Sequence, residues 1–407
     1  MRPRIVVTGV GMVSPIGIGA EAFRAALREG TCAISSIDRF DTTGRSSHAA
    51  GLVRGFVAQD YIHPNRLRRM DPLAAQAVAA ARLAVVDAGL DRSIDRSAPS
   101  PGTGIVFGTA YGCHSTTVRY ANKLVERGAC FTNPIDFPDS IDGAPAAHIA
   151  MELGLQGPSS TLVDGALSGE AALWHAAQAI GTGRAERMLV GSGDELSDDL
   201  HAAFCALGLL CRGDERMCPY DVARAGPVPG EGTAVLVLEL LDAARARGAR
   251  IYAELCSVGH GLDPSCPPHR FARDPTAAVC ALRDALAAAD VAPSEIDVFS
   301  GAAASSPEFD GIELSAANEV LQASSHCRLM ALKGATGELE AGGVLRVAGA
   351  AIALFEGFVP PLLGLDESAP VTRLGIPGVA EDAPLRYILH HTMARGGQSL
   401  GLVLARA

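Results

Sequence analysis

The sequence is short of charge and of aromatic rings. Of its 407 residues, 19% are charged and 5% aromatic, with a single tryptophan. Lys and Arg number 34 against 45 Asp and Glu, a formal net charge of −11. Nucleic-acid binding needs clustered positive charge. The short basic run "RLRR" at 66–69 reads as a solvated helix start, so no nucleic-acid partner is expected. Ten cysteines are present, but none forms a CxxC pair, and the spacing of Cys211 and Cys218 fits no common zinc site. A set of reduced, mostly buried thiols is expected. No apolar run is long enough to cross a bilayer. The opening "MRPRIVVTGVG" is strand-like and has no signal-peptide core. These absences predict a soluble, cytoplasmic protein without membrane contact.

What is abundant is small and apolar. Hydrophobic residues make up 48% of the chain, and glycine alone contributes 45 residues. That much apolar surface needs a large core and a buried subunit interface. The length permits several domains or one large duplicated one.

"RIVVTGVGMVSPIG" (4–17) reads as a buried strand followed by a glycine turn. It half-matches a dinucleotide fingerprint, but Ser14 stands where the third glycine belongs, and no acidic residue follows a second strand. A tight turn explains Gly9 and Gly11 better. The spacing predicts helices over 72–90, 114–127 and 167–183, and strands over 104–112, 187–195 and 232–240. Near 250 the pattern restarts, with a strand and glycine turn at 250–264. A helix at 275–290, a strand at 296–301, helices at 310–322 and 341–356, and strands at 385–391 and 398–405 follow. Alternation of this kind implies an α/β fold with a mainly parallel sheet covered on both faces in each half. The halves divide as 1–245 and 246–407, with no flexible linker between them.

Six stretches, in this order, resemble the β-ketoacyl synthases: "RIVVTGVGMVSPIG", "GLQGPSSTLVDGALSG", "MLVGSGDE", "CPYDVARAGPVPGEGTAVLVLE", "RLMALKGATGELEAGG" and "ARGGQSLGLVLA". The resemblance spans essentially the whole chain, and 218–239 is its most specific part. It implies the thiolase-type fold, a duplicated five-layer α-β-α-β-α sandwich that is normally dimeric. The family's chemistry uses a helix-start cysteine to carry the acyl chain. Two histidines polarise the extender thioester as it loses CO₂. Aligned on Pro158, Ser159, Gly169 and Leu173, the cysteine position holds Ala166. Aligned on Pro307, Asp310 and Glu313, the first histidine position holds Ala302. Aligned on Lys333, Thr336 and Gly337, the second holds Glu338. No catalytic residue is therefore expected in the isolated chain.

This triple loss is similar to the chain length factors, the KSβ subunits of type II polyketide synthases. "DVFSGAAASSPEFDGIEL" and "ARGGQSLGLVL" match that branch better than the active synthases. Many of its members carry glutamine where this chain has Ala166, a departure that points to a divergent, polyene-type reducing system. The resemblance implies a heterodimer with an active ketosynthase subunit, KSα, and a transient acyl carrier protein. It implies no cofactor on this chain, the carrier's phosphopantetheine serving the complex. His114, Thr117 and Ala121 share one helix face and match positions that line the chain-length tunnel. Thr117 and Ala121 are small, which leaves a long cavity. Two other readings remain open: a stand-alone enzyme using Glu338, and a non-catalytic homodimeric scaffold.

The remaining candidates read as structural. Lys333 is expected to pair with Glu338 or Glu313. Glu338 has like-charged Glu340 nearby and no nucleophile beside it. Ser168 and Ser192 lie in glycine-rich turns but not in a G-x-S-x-G elbow. His148 reads as a satisfied core histidine. His390 and His391 are adjacent on a strand and point to opposite faces, which argues against a metal pair.

Overall fold

The computed structural model describes residues 3–97, 99–212, 215–365 and 372–407. In the first half, strand β1 (Ile5–Ser14) is followed by helices α1 (Ala20–Glu29) and α2 (Pro72–Asp87). Then come β2 (Thr103–Gly108), α3 (His114–Arg127), α4 (Ala144–Leu153), β3 (Ser159–Leu162) and α5 (Ser168–Gly181). Strand β4 (Arg187–Asp194), helix α6 (Asp198–Leu207) and strand β5 (Gly232–Leu240) close this half. Helix α7 (Leu241–Ala246) leads to β6 (Ala253–Leu262), α8 (Thr276–Ala289), β7 (Val298–Gly301), α9 (Pro307–Val320) and β8 (Arg328–Ala331). The short α10 (Lys333–Thr336), α11 (Gly343–Glu356), β9 (Tyr387–Met393) and β10 (Gln398–Ala405) complete the chain.

The two halves repeat one topology. The strand order is β3-β2-β4-β5-β1 in the first and β8-β7-β9-β10-β6 in the second. In each half the last strand runs antiparallel to its neighbours, so the sheet is mixed rather than mainly parallel as the alternation of elements implied. The halves join edge to edge through β1 and β6, which pair antiparallel at Ile5–Leu255, Val6–Glu254 and Val7–Ala253. Helices α2 and α4 cover one sheet region from outside, and α8 and α9 cover the other. Between them lie α5 and α11, the central layer of the five. This is the expected thiolase-type α/β architecture.

The glycines of β1 have a role other than the expected turn. The strand runs through both, and all ten of its residues are buried. A side chain on Gly9 would strike the Ala84 carbonyl of α2, and one on Gly11 the Ala80 carbonyl. Gly259 and Gly261 of β6 stand in the same relation to Ala281 and Ala277 of α8. The G-x-G pattern admits an alanine-rich helix directly onto a strand, once in each half.

The cysteines are less buried than expected: Cys113, Cys211, Cys218 and Cys327 are buried, whereas Cys32, Cys130 and Cys280 are exposed. Among the described residues, no helix is long and apolar enough to cross a membrane.

Candidate functional site

The three substituted positions sit where chain segments leave the two sheets toward the central helices. Strand β3 ends in a tight turn, Gly165–Leu167, before α5 begins. Gly165 supplies the left-handed φ of 53° that this bend requires. Ala166 is half-buried in the turn, and its carbonyl accepts from the Thr392 hydroxyl at 3.4 Å. Ser168 is a brace: its hydroxyl donates to Thr109 O at 3.0 Å and accepts from Asp164 N–H at 2.8 Å.

Ala302 follows β7 directly and is 1% exposed. Phe309, Met393 and the partly buried Phe271 and Ile312 pack with it. Apolar side chains therefore surround Ala302, which the sequence alignment sets at the first histidine position. Glu338 follows α10, and Lys333 Nζ donates to its Oε1 at 2.7 Å. The ammonium also stands 5.8 Å from the centroid of Phe309. One continuous set of contacts thus connects Ala166, Thr392, Met393, Ala302, Phe309, Lys333 and Glu338.

Of the two carboxylates expected to hold Lys333, only Glu338 does so. Glu313 is fully buried and otherwise committed. It accepts from Tyr220 OH at 2.6 Å and from Ala302 N–H at 2.8 Å, and it meets His391 Nδ1 at 2.6 Å. His391 faces Glu313 of α9, whereas His390 Nε2 meets Glu170 of α5 at 3.0 Å. The two rings engage opposite faces of β9, as strand geometry requires. Arg346 of α11 pairs with Glu170 and donates to His391 O at 3.0 Å. Burial, reinforced by the Arg346 charge, pushes His390 down to about 4, so its ring is neutral near pH 7.

A cavity of about 190 Å³ lies beside Glu338. Tyr111 and Phe204 give it an aromatic wall, their rings in edge contact at 5.4 Å. Glu195, Glu338, Glu340 and Arg395 give it a polar one. Burial, and then the charge of Glu338, push Glu340 up to about 7. Burial, and then the charge of Asp71, push Glu195 up to about 7. The Arg395 guanidinium is held over Phe271 at 4.6 Å and donates to His269 O at 3.1 Å. The sequence reading did not single out Tyr111, Glu195, Phe204 or Arg395. The acidic end of "GSGDE" and the arginine in "ARGG" were the available signals. Among the described residues, no group of three or more His, Cys, Asp or Glu is placed to hold a metal ion.

The other candidates are accounted for locally. Ser192 donates to Ala341 O at 2.5 Å and accepts from Val344 N–H at 3.1 Å, fixing the start of α11 to β4. His148 meets Asp139 at 2.6 Å in a half-buried pair. His114 Nδ1 lies 2.9 Å from Ser197 Oγ. Thr117 donates to Ser140 O at 2.8 Å, and Thr117 and Ala121 are exposed on α3. None of these three lines the 190 Å³ cavity; Thr117 and Ala121 face outward.

Comparison with known proteins agrees with this architecture. Residues 2–244 match the model for the beta-ketoacyl synthase N-terminal domain, and 252–366 match that for the C-terminal domain. The chain is 30% identical over 420 residues to 3-oxoacyl-(acyl-carrier-protein) synthase 2 of Vibrio harveyi, covering 100% of this chain and 99% of that one. It is 31% identical over 421 residues to the enzyme of the same name from Rhizobium meliloti, covering 99% of each. The solved structure of the ishigamide ketosynthase/chain length factor superposes with a TM-score of 0.91 at 29% identity, covering 100% of both chains. The chain belongs to the beta-ketoacyl synthase family.

Proposed function

We propose that this chain is the non-catalytic chain length factor of a type II polyketide synthase. It pairs with an active ketosynthase that carries the cysteine and both histidines. One observation carries the reading: the three positions that need a nucleophile and two imidazoles hold Ala166, an apolar-packed Ala302, and a Glu338 bound to Lys333. Neither alanine can transfer an acyl group or a proton, and loss of a cooperative catalytic set removes nearly all turnover. The likeness to the ishigamide ketosynthase/chain length factor supports the same reading.

The surface supports a partner. Strand β3 ends the sheet on one side, with no neighbour beyond it among the described residues. Leu124, Val125, Phe131, Ile135, Phe137 and Ile141 are exposed over one short segment. An unpaired edge and a set of exposed apolar side chains in the same half suit pairing with a second subunit of like fold. In such a dimer the Thr117 and Ala121 face of α3 forms one wall of the growing-chain tunnel and sets product length. The acyl carrier protein delivers its phosphopantetheine thioester to the partner's cysteine, and this chain needs no cofactor of its own.

Size-exclusion chromatography of the chain alone, then with a ketosynthase bearing intact cysteine and histidine motifs, tests the assignment. A one-to-one complex that condenses malonyl units is expected. A stable homodimer that condenses them without a partner would refute it.

A further inference from the structure

Helix α3 carries the Thr117–Ala121 face, yet little in its own sequence fixes its position. Its N-cap residue, Cys113, supplies no side-chain cap. Of its 14 residues, only Thr116 is buried. Packing of an apolar face, the usual source of helix placement, is therefore slight here.

The anchors come from elsewhere in the fold. The first-turn N–H groups of a helix need acceptors from outside it. Glu195, just past the end of β4, accepts from Ser115 N–H at 2.7 Å. Asp71 accepts from Thr116 N–H at 3.1 Å through one oxygen and caps α2 at Leu73 N–H, 2.9 Å away, through the other. Both carboxylates are buried, Glu195 at 6% exposure and Asp71 at 1%. His114 adds a third link to the same segment through Ser197. Glu195 differs from Asp71 in lining the cavity as well, beside Glu338 and Glu340.

We propose that Glu195 is a positioning residue for chain-length control. It holds the first turn of α3 so that Thr117 and Ala121 present the tunnel wall at a fixed depth, and it ties that wall to the cavity of the degenerate catalytic centre. This inference rests on the chain-length reading above.

The test uses the complex reconstituted with a partner ketosynthase, comparing the parent with Glu195→Ala, Glu195→Gln and Ala121→Phe. Glu195→Ala should shift the ratio of the main product to its neighbouring lengths by roughly threefold to tenfold, below the roughly 100-fold that a 1 Å misplacement of the reacting groups themselves can cost. Glu195→Gln, which keeps an acceptor oxygen for Ser115 N–H, should restore the parental distribution. A merely structural role would instead lower complex yield and depress all products alike. If Glu195→Ala fails to assemble, Glu195→Asp, which withdraws the carboxylate by one methylene, carries the same expectation. A parental distribution from assembled Glu195→Ala or Glu195→Asp, with Ala121→Phe shifting product length, overturns the proposal. If Ala121→Phe also leaves length unchanged, the chain-length reading itself fails, and the proposal with it.

Discussion

Gly169 in the first turn of α5 and Gly343 at the head of α11 are in backbone contact: a Cβ on Gly169 would lie 2.7 Å from the Gly343 Cα. The same Cβ would lie 2.8 Å from Ser192 Oγ and 2.8 Å from Val344 N. The turn that presents a nucleophile in related enzymes is here the seam between the two central helices. Its geometry is required by packing even when no nucleophile stands on it.

Gly169→Ala should therefore destabilise the fold, because neither backbone nor Ser192 can withdraw. Overpacking of this kind costs about 1–3 kcal/mol. Thermal unfolding checks it, with Ala166→Ser as the control. Ala166 is only half-buried, so the control should unfold within about 0.5 kcal/mol of the parent.

Ala166→Cys should place a thiol at a helix start without restoring condensation. A helix start favours the thiolate, but Ala302 and Glu338 leave no imidazole to polarise a thioester. Release of CO₂ from a malonyl thioester by this variant alone should stay at the parental background. A clear gain would contradict the reading that no group in this chain does the work of an imidazole.

The buried pair Arg346–Glu170 should be costly to break from one side. Both side chains are almost fully buried, and His390 is held neutral, so Arg346 is the main countercharge to Glu170. Arg346→Met should lower stability by about 3–5 kcal/mol, and adding Glu170→Gln should recover much of it. Denaturant titration of both variants measures the coupling.

Glu340 should make stability fall as pH rises. Its folded-state pKa of about 7 lies above the ordinary 4.5, raised by burial and by Glu338. The stabilising contribution of the protonated acid is complete below about 4.5 and is lost as pH rises through about 7. Glu340→Gln removes that loss. The variant should match the parent near pH 5 and exceed it at pH 8 by about 1–3 kcal/mol, each pKa unit corresponding to about 1.4 kcal/mol. An equal gain at both pH values would assign the effect to something other than ionisation.

Much of the fold was legible in the sequence because its signals are local. The apolar runs of β1, β4, β5 and β10 and the alanine-rich α2 and α5 announce themselves by composition and period. The restart near 250 is repeated in space as an identical strand order. The role of Gly9 and Gly11 was not legible, since a glycine that admits a helix looks in sequence like one that makes a turn. Helices α1, α4 and α6 and strands β3 and β8 are not among the elements expected from spacing; each has ten residues or fewer, too short a window for a periodic signal.

At the site, the assignment of Ala166, Ala302 and Glu338 to the cysteine and histidine positions rests on flanking motifs alone. The partner of Lys333 did not: only the fold decides that Glu313 is taken by Tyr220 and His391. Nor could Glu195 be recognised, because its partner, Ser115 N–H, is a backbone atom that leaves no mark in the sequence.

The most direct measurement follows isotopically labelled malonyl units through the purified two-chain complex during turnover and locates the covalently bound acyl groups by mass spectrometry. The account predicts every acyl group on the partner's cysteine and none on this chain. An acyl group on this chain, or polyketide formed by this chain without a partner, would contradict it.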